Sequence, residues 1–146
     1  MVQTSMHSLA SATSQEVKNE LGITHVLSVC PDYPHNGSPK HLVVNVEDSE
    51  MADLLIHLPA ACRFVSEALD SSPTASVLIH CRMGISRSTT VLAAFLMKTK
   101  HLTRIEALTY IRQRTPFPFP LFNSMSLTRI FLLKLIQSIY QLLRGR

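Results

Sequence analysis

One run of nine residues carries more chemistry than any other in this 146-residue chain: His80, Cys81, Arg82, Met83, Gly84, Ile85, Ser86, Arg87 and Ser88. The apolar stretch SVLIH ends at His80 and a helical pattern follows from about Ser88, so the run reads as a turn from a strand into a helix. Backbone amides in such a turn, with Gly84 allowing the bend, converge with the helix N-terminus on one point and make a nest for an anion. A cysteine at the base of the nest ionises more readily than a free thiol, because the amides and the helix dipole stabilise the thiolate. Arg87 adds a planar fork that can hold two equatorial oxygens of a phosphoryl group and follow them into the transition state. Taken alone, Cys81 would sooner be read as a small buried apolar residue. Five fixed residue types at ~5% usage each, however, match by chance at a given start with a probability on the order of 10⁻⁷ to 10⁻⁶.

The elements that must position this run follow from periodicity and punctuation. Thr13 and Glu16 make a capping box and Gly22 a stop, which predicts a short helix over 14–21. ITHVLSVC (23–30) reads as a buried strand ending at Pro31, PDYPHNGSPK as a turn region, and HLVVNV (41–46) as a second strand. Apolar residues at Leu54, Leu55, Leu58, Ala61, Cys62, Val65, Ala68 and Leu69 have a helical period, with a first turn or kink before Pro59. Strand 76–80, a helix from about Ser88 to Thr99, and a helix to about Arg112 capped by Thr103 and Glu106 complete the order. Strands alternating with helices predict an α/β fold, a central, mostly parallel sheet flanked by helices. Ligands of such sheets bind at the carboxyl ends of the strands. The loops Glu47–Asp53 and Cys81–Arg87 both leave strands and can share that edge. A carboxylic acid on the first loop could protonate a leaving oxygen; Glu47, Asp48, Glu50 and Asp53 all compete there with roles as solvated charges or caps.

The segment HCRMGISRS resembles the His-Cys-x5-Arg-Ser/Thr signature of the cysteine-dependent protein tyrosine phosphatase superfamily, and its Gly-Ile-Ser-Arg-Ser ending resembles the dual-specificity branch. The resemblance spans about residues 14–115, through NELGITHVLSV, VVNVEDSEMADLL, SVLIHCRMGISRSTTVLAAFLM and LTRIEALTYIRQRTP. It implies a protein tyrosine phosphatase-like fold and a metal-independent enzyme that needs no cofactor. Such an enzyme hydrolyses phosphotyrosine and phosphoserine or phosphothreonine on proteins. It further implies Cys81 as the nucleophile that forms a phosphocysteine, and Arg82, Met83, Gly84, Ile85, Ser86 and Arg87 as the phosphate-binding loop. Ser88 would stabilise the departing thiolate, His80 would support the loop and the low thiol pKa, and Asp48 of VEDS would be the general acid and then the base toward water. Two departures stand out. Nothing before Ser14 supplies the family's apolar, Tyr-Gly-type first strand, and RTPFPFPLFNSM stands where relatives carry a Pro-Asn and an aromatic residue. Other readings are a phosphatase for a non-protein ester, such as a phosphoinositide or an RNA 5′ end, or a phosphoprotein-binding module. Met83 and Ile85 in place of loop lysines weaken the lipid reading, Arg82 keeps it open, and retention of Cys81 and Arg87 weighs against a pure binding module.

Composition sets the frame. Apolar residues make up 46% of the chain and charged ones 16%, which excludes disorder as the main state and suits one domain over 1–146. Residues 1–73 carry three basic and nine acidic side chains, net −6, while residues 74–146 carry eleven and one, net +10. The basic half implies an anionic partner or a solvated face; with no run of five Lys/Arg residues, nucleic acid is not expected. Cys30, Cys62 and Cys81 have no C-x-x-C spacing and the start lacks a signal-peptide pattern, so the expected setting is reducing and cytoplasmic, with the nucleus open, and no metal is implied. Cys30 and Cys62 read as core residues, with disulfide protection of an oxidised Cys81 as the rival reading. The Pro116–Leu121 stretch alternates as an extended connector or a peptide-binding strip. Residues 125–144 form an amphipathic helix pattern, read as core packing with a dimer or membrane contact as alternatives; Arg129 and Lys134 argue against a transmembrane span.

Overall fold

A computed structural model describes residues 2–3, 15–31, 33, 40–47, 53–81 and 87–114. The elements run β1 (Val2–Gln3), α1 (Gln15–Glu20), β2 (His25–Val29), β3 (His41–Val44), a 3₁₀ turn (Leu55–His57), α2 (Leu58–Asp70), β4 (Val77–His80), α3 (Arg87–Lys100) and α4 (Arg104–Arg114). The predicted connector and the amphipathic segment 125–144 lie outside the described residues.

Local chemistry accounts for the element boundaries. Helix α1 stops because Gly22 takes a left-handed φ of 63°, which lets its N–H reach the Asn19 carbonyl at 3.2 Å and the Ile23 N–H reach Lys18 at 2.8 Å. Pro59 sits in the first turn of α2, where its missing N–H costs nothing, and the 3₁₀ turn precedes it as the sequence predicted. Helix α4 starts at a reciprocal capping box. The Thr103 N–H donates to Glu106 Oε2 at 2.7 Å and the Glu106 N–H to Thr103 Oγ1 at 3.3 Å.

The four strands are parallel in the order β1-β4-β2-β3. In register, Ser28 stands opposite His80 on one side and Val43 on the other. Strand β1 is a finding that the pattern did not predict: Val2 pairs with Val77 and Gln3 with Leu78. Two residues of backbone pairing are too few to leave a side-chain period in a sequence.

The core lies between the sheet and α2 and α3. Leu27, Val29, Val65, Val77, Ile79 and Val91 are fully buried, and every residue of α3 from Arg87 to Met97 is buried. Helix α3 touches β2, β4, α2 and α4, which leaves its first eleven residues no solvent face. At the amino ends of β2 and β4, the Thr24 and His25 N–H groups both donate to the Ser76 carbonyl, and the Ser76 N–H donates to Thr24 Oγ1. With that end pinned, the register delivers the carboxyl ends together. Ile79→Ala is expected to cost about 2–5 kcal/mol and Ile105→Ala, on an exposed face, less than about 0.5 kcal/mol, measured by urea unfolding.

Candidate active site

Strand β4 enters the site with all four residues buried. Cys81 follows it directly and is 1% exposed, and α3 begins six residues later with Arg87 and Ser88, both buried. The intervening Arg82, Met83, Gly84, Ile85 and Ser86, and the proposed acid Asp48, lie outside the described residues. Cys81, Arg87, Ser88 and His80 are therefore the sequence-predicted site residues whose positions can be compared, and they converge at one end of β4.

Cys81 Sγ lies 3.4 Å from Ser88 Oγ, within hydrogen-bonding range for sulfur. A neutral thiol and hydroxyl can each donate there, but once sulfur is ionised only Ser88 can. The contact brings the N-terminus of α3, the positive end of its dipole, to the sulfur.

Arg87 does not extend into water. Its Nη1 donates to the Val46 carbonyl at 2.7 Å, so the first residue of α3 is tied to the chain leaving β3, two positions before Asp48. A charge-assisted bond of this kind is worth about 1.5–3 kcal/mol. Glu47 and Asp53, the two competing acids that are described, are both exposed.

His80 is completely buried and its Nε2 lies 2.7 Å from Ser28 Oγ across the β2–β4 pair. Ser28 Oγ is also 2.9 Å from His41 Nε2 on β3. Tyr33 packs edge-on against both imidazoles. Burial, reinforced by the electrostatic influence of His41 and Lys18, pushes the His80 pKa down to about 4, so the ring is neutral near pH 7. Residue pattern reasoning passed over Ser28, His41 and Tyr33. The one available signal was a serine inside an otherwise apolar strand, since a buried hydroxyl needs a partner.

The remaining thiols behave differently. All three cysteines are free and buried, and burial pushes the Cys62 thiol up to about 11, which makes it a poor nucleophile. Among the described residues no cluster of His, Cys, Asp and Glu is arranged to hold a metal ion, and no helix is long and apolar enough to cross a membrane.

The neutral His80 sets a pH dependence of stability. Above pH 6.5 neither folded nor unfolded chain protonates this ring; between 6.5 and about 4 the unfolded chain binds a proton that the native site refuses; below about 4 both bind it. Stability due to this ring is therefore full above 6.5 and is lost on acidification, by about 3 kcal/mol across the window. Urea unfolding at a series of pH values is expected to show a shallower acid slope for His80→Asn than for the wild type; equal slopes would contradict the buried neutral ring.

Comparison with known proteins bears on the arrangement as a whole. The family model described as "Dual specificity phosphatase, catalytic domain" matches residues 6–129. The dual specificity protein phosphatase Mpk3 of Drosophila melanogaster is 39% identical over 114 residues, 75% of this chain and 27% of that one. The human dual specificity protein phosphatase 26 is 35% identical over 108 residues, 69% of this chain and 51% of that one. The chain thus spans a quarter to a half of the curated relatives it matches. In fold it is similar to human DUSP28, with a TM-score of 0.76 at 24% identity over 99% of this chain and 94% of that one. It is also similar to the Yvh1 phosphatase domain of Chaetomium thermophilum, with a TM-score of 0.69 at 26% identity over 92% and 88%. A family match over most of the length, on a sheet whose β4 carries a cysteine to the N-terminus of a buried helix, means that the chain belongs to the dual specificity phosphatase catalytic-domain family.

Proposed function

We propose that the protein hydrolyses phosphotyrosine and phosphoserine or phosphothreonine on protein substrates through a phosphocysteine intermediate, without a metal. The observation that carries the reading is the 3.4 Å contact of Cys81 Sγ with Ser88 Oγ at the start of the helix that also bears Arg87.

The steps balance as follows. The Cys81 thiolate attacks phosphorus, an S–P bond forms, and the ester P–O bond breaks; Asp48, as the carboxylic acid, gives its proton to the leaving oxygen. Water then attacks phosphorus, Asp48 takes a proton from it, the S–P bond breaks, and sulfur leaves as a thiolate that accepts a hydrogen bond from Ser88. Arg87 and the amides of 82–86 hold the equatorial oxygens through both steps. The Arg87–Val46 bond supports the assignment of Asp48, because it ties the phosphate-binding arginine to the segment that leads into this acid within two residues. The phosphate-bearing partner is a protein, and the basic half of the chain, net +10 over residues 74–146, favours the approach of an anionic one.

Three variants test the steps separately. Cys81→Ser is expected to lower turnover of an aryl phosphate at least about 10³-fold. Asp48→Asn is expected to slow hydrolysis and flatten the pH dependence associated with the acid. Ser88→Ala is expected to slow breakdown of the intermediate, so that phosphoenzyme accumulates in rapid-quench experiments. Phosphopeptides, phosphoinositides and 5′-phosphorylated RNA assayed side by side identify the substrate class; faster turnover of a lipid or RNA would replace the protein-substrate reading, and wild-type turnover by Cys81→Ser would overturn the mechanism.

A further inference from the structure

Beneath Cys81, three side chains that the proposed chemistry does not use meet His80. Ser28 Oγ lies between two imidazoles, 2.7 Å from His80 Nε2 and 2.9 Å from His41 Nε2. The Tyr33 ring stands edge-on to both, its centroid 5.0 Å from that of His80 and 5.3 Å from that of His41. Ser28 and His80 are 0% exposed, so bulk water does not satisfy them.

A hydroxyl has one proton to give and two lone pairs to receive. Two neutral imidazoles can share it in three ways. In the first, His41 Nε2–H donates to Ser28 and Ser28 donates to His80 Nε2, which leaves the His80 proton on Nδ1. In the second the direction is reversed, and in the third both Nε2–H groups donate to Ser28; in either case His80 Nδ1 is bare. His80 Nδ1 is buried and meets no partner at full hydrogen-bonding geometry among the described residues, yet the Cys81 backbone beside it raises the ring's affinity for a proton. A proton on Nδ1 is attracted to that backbone, whereas a bare lone pair buried there would be left unsatisfied. The first arrangement is the favourable one, and in it His41 is the donor at the outer end of the chain.

We propose that His41 is a positioning residue for Cys81: through Ser28 it holds the His80 proton on Nδ1, against the Cys81 main chain, and so orients the dipoles beside Sγ in favour of the thiolate. The inference rests on Cys81 being the nucleophile. The titratable groups that act electrostatically on His80 are His41 on β3 and Lys18 on α1. The Tyr33 phenol is pushed up from its ordinary range by burial and by Cys30, so it stays neutral. Lys18 is unchanged in every variant below, which leaves the His41 donor as the variable. A ring at 41 that only packed on Tyr33 would be replaceable by Phe; a donor would not.

The test uses the full chain. His41→Phe keeps an aromatic ring against Tyr33 and removes the Nε2–H, while His41→Gln keeps an N–H donor of similar reach. Alkylation of Cys81 by iodoacetamide, followed by peptide mass spectrometry across pH, reads its thiolate fraction without requiring turnover. At about pH 6 His41→Phe is expected to slow alkylation about three- to tenfold, an upward pKa shift of ~0.5 to 1, and His41→Gln to restore the wild-type rate. Long-range ¹H–¹⁵N spectra of the wild type are expected to place the His80 proton on Nδ1. An unchanged Cys81 profile in folded His41→Phe protein, or a wild-type His80 proton on Nε2, would overturn the proposal. Wild-type Cys81 titrating as an ordinary thiol would instead overturn the nucleophile assignment, so the two failures are distinct.

Discussion

Strand β4 is buried on both faces and paired on both edges, and most of the structure is a consequence of that confinement. Flanked by β1 and β2 and covered by α2 and α3, it leaves no polar atom access to water. Three of its residues are apolar and need nothing more, but the fourth, His80, must find its partner inside the protein. Ser28 supplies it because the parallel register sets 28 opposite 80. The strand can then end only where the next groups are also satisfied internally, and Cys81 and Ser88 meet this requirement together. The place of Cys81 at the rim of the core is thus a product of how the central strand is buried.

The second constraint is that Arg87 opens a helix with no solvent face. A buried guanidinium without an acceptor would be costly, and the Val46 carbonyl at 2.7 Å offsets that cost. Since Val46 belongs to the exit of β3 and Arg87 to the helix after β4, one bond links two loops that are separated in the sheet by β2. In a parallel sheet the carboxyl ends of the strands lie on one edge, which is what makes so short a link available. The likeness in fold to relatives at only 24–26% identity fits this view: what they share is a layered arrangement around a central strand, which tolerates wide substitution of apolar residues by other apolar residues.

Much of this was legible from the residues. Boundaries set by local chemistry were readable, among them the Gly22 stop, Pro59 at the start of α2 and the Thr103–Glu106 box, because each depends on groups within a few positions of one another. The strands β2, β3 and β4 announced themselves as apolar runs. Strand β1 did not, since two residues have no period and its partner is more than seventy positions away. In the site, Cys81, Arg87, Ser88 and His80 were legible as a local motif. His41 and Tyr33 were not, because nothing in their own neighbourhoods distinguishes them from ordinary strand and turn residues, and Ser28 offered only the signal of a hydroxyl in a buried strand.

By itself, then, the sequence determined the candidate nucleophile, the arginine seven positions from the histidine, the strand-to-helix order that joins them and the α/β class. These are matters of spacing along one chain and of short-range backbone chemistry. Only the tertiary structure decided which partners those groups have: a hydroxyl from β2 between two imidazoles, a carbonyl beyond β3 for the guanidinium, and a neutral state for His80. Hydrogen-bond partnership and proton affinity in the core depend on the register of strands distant in sequence and on the exclusion of water, and both exist only once the sheet has formed.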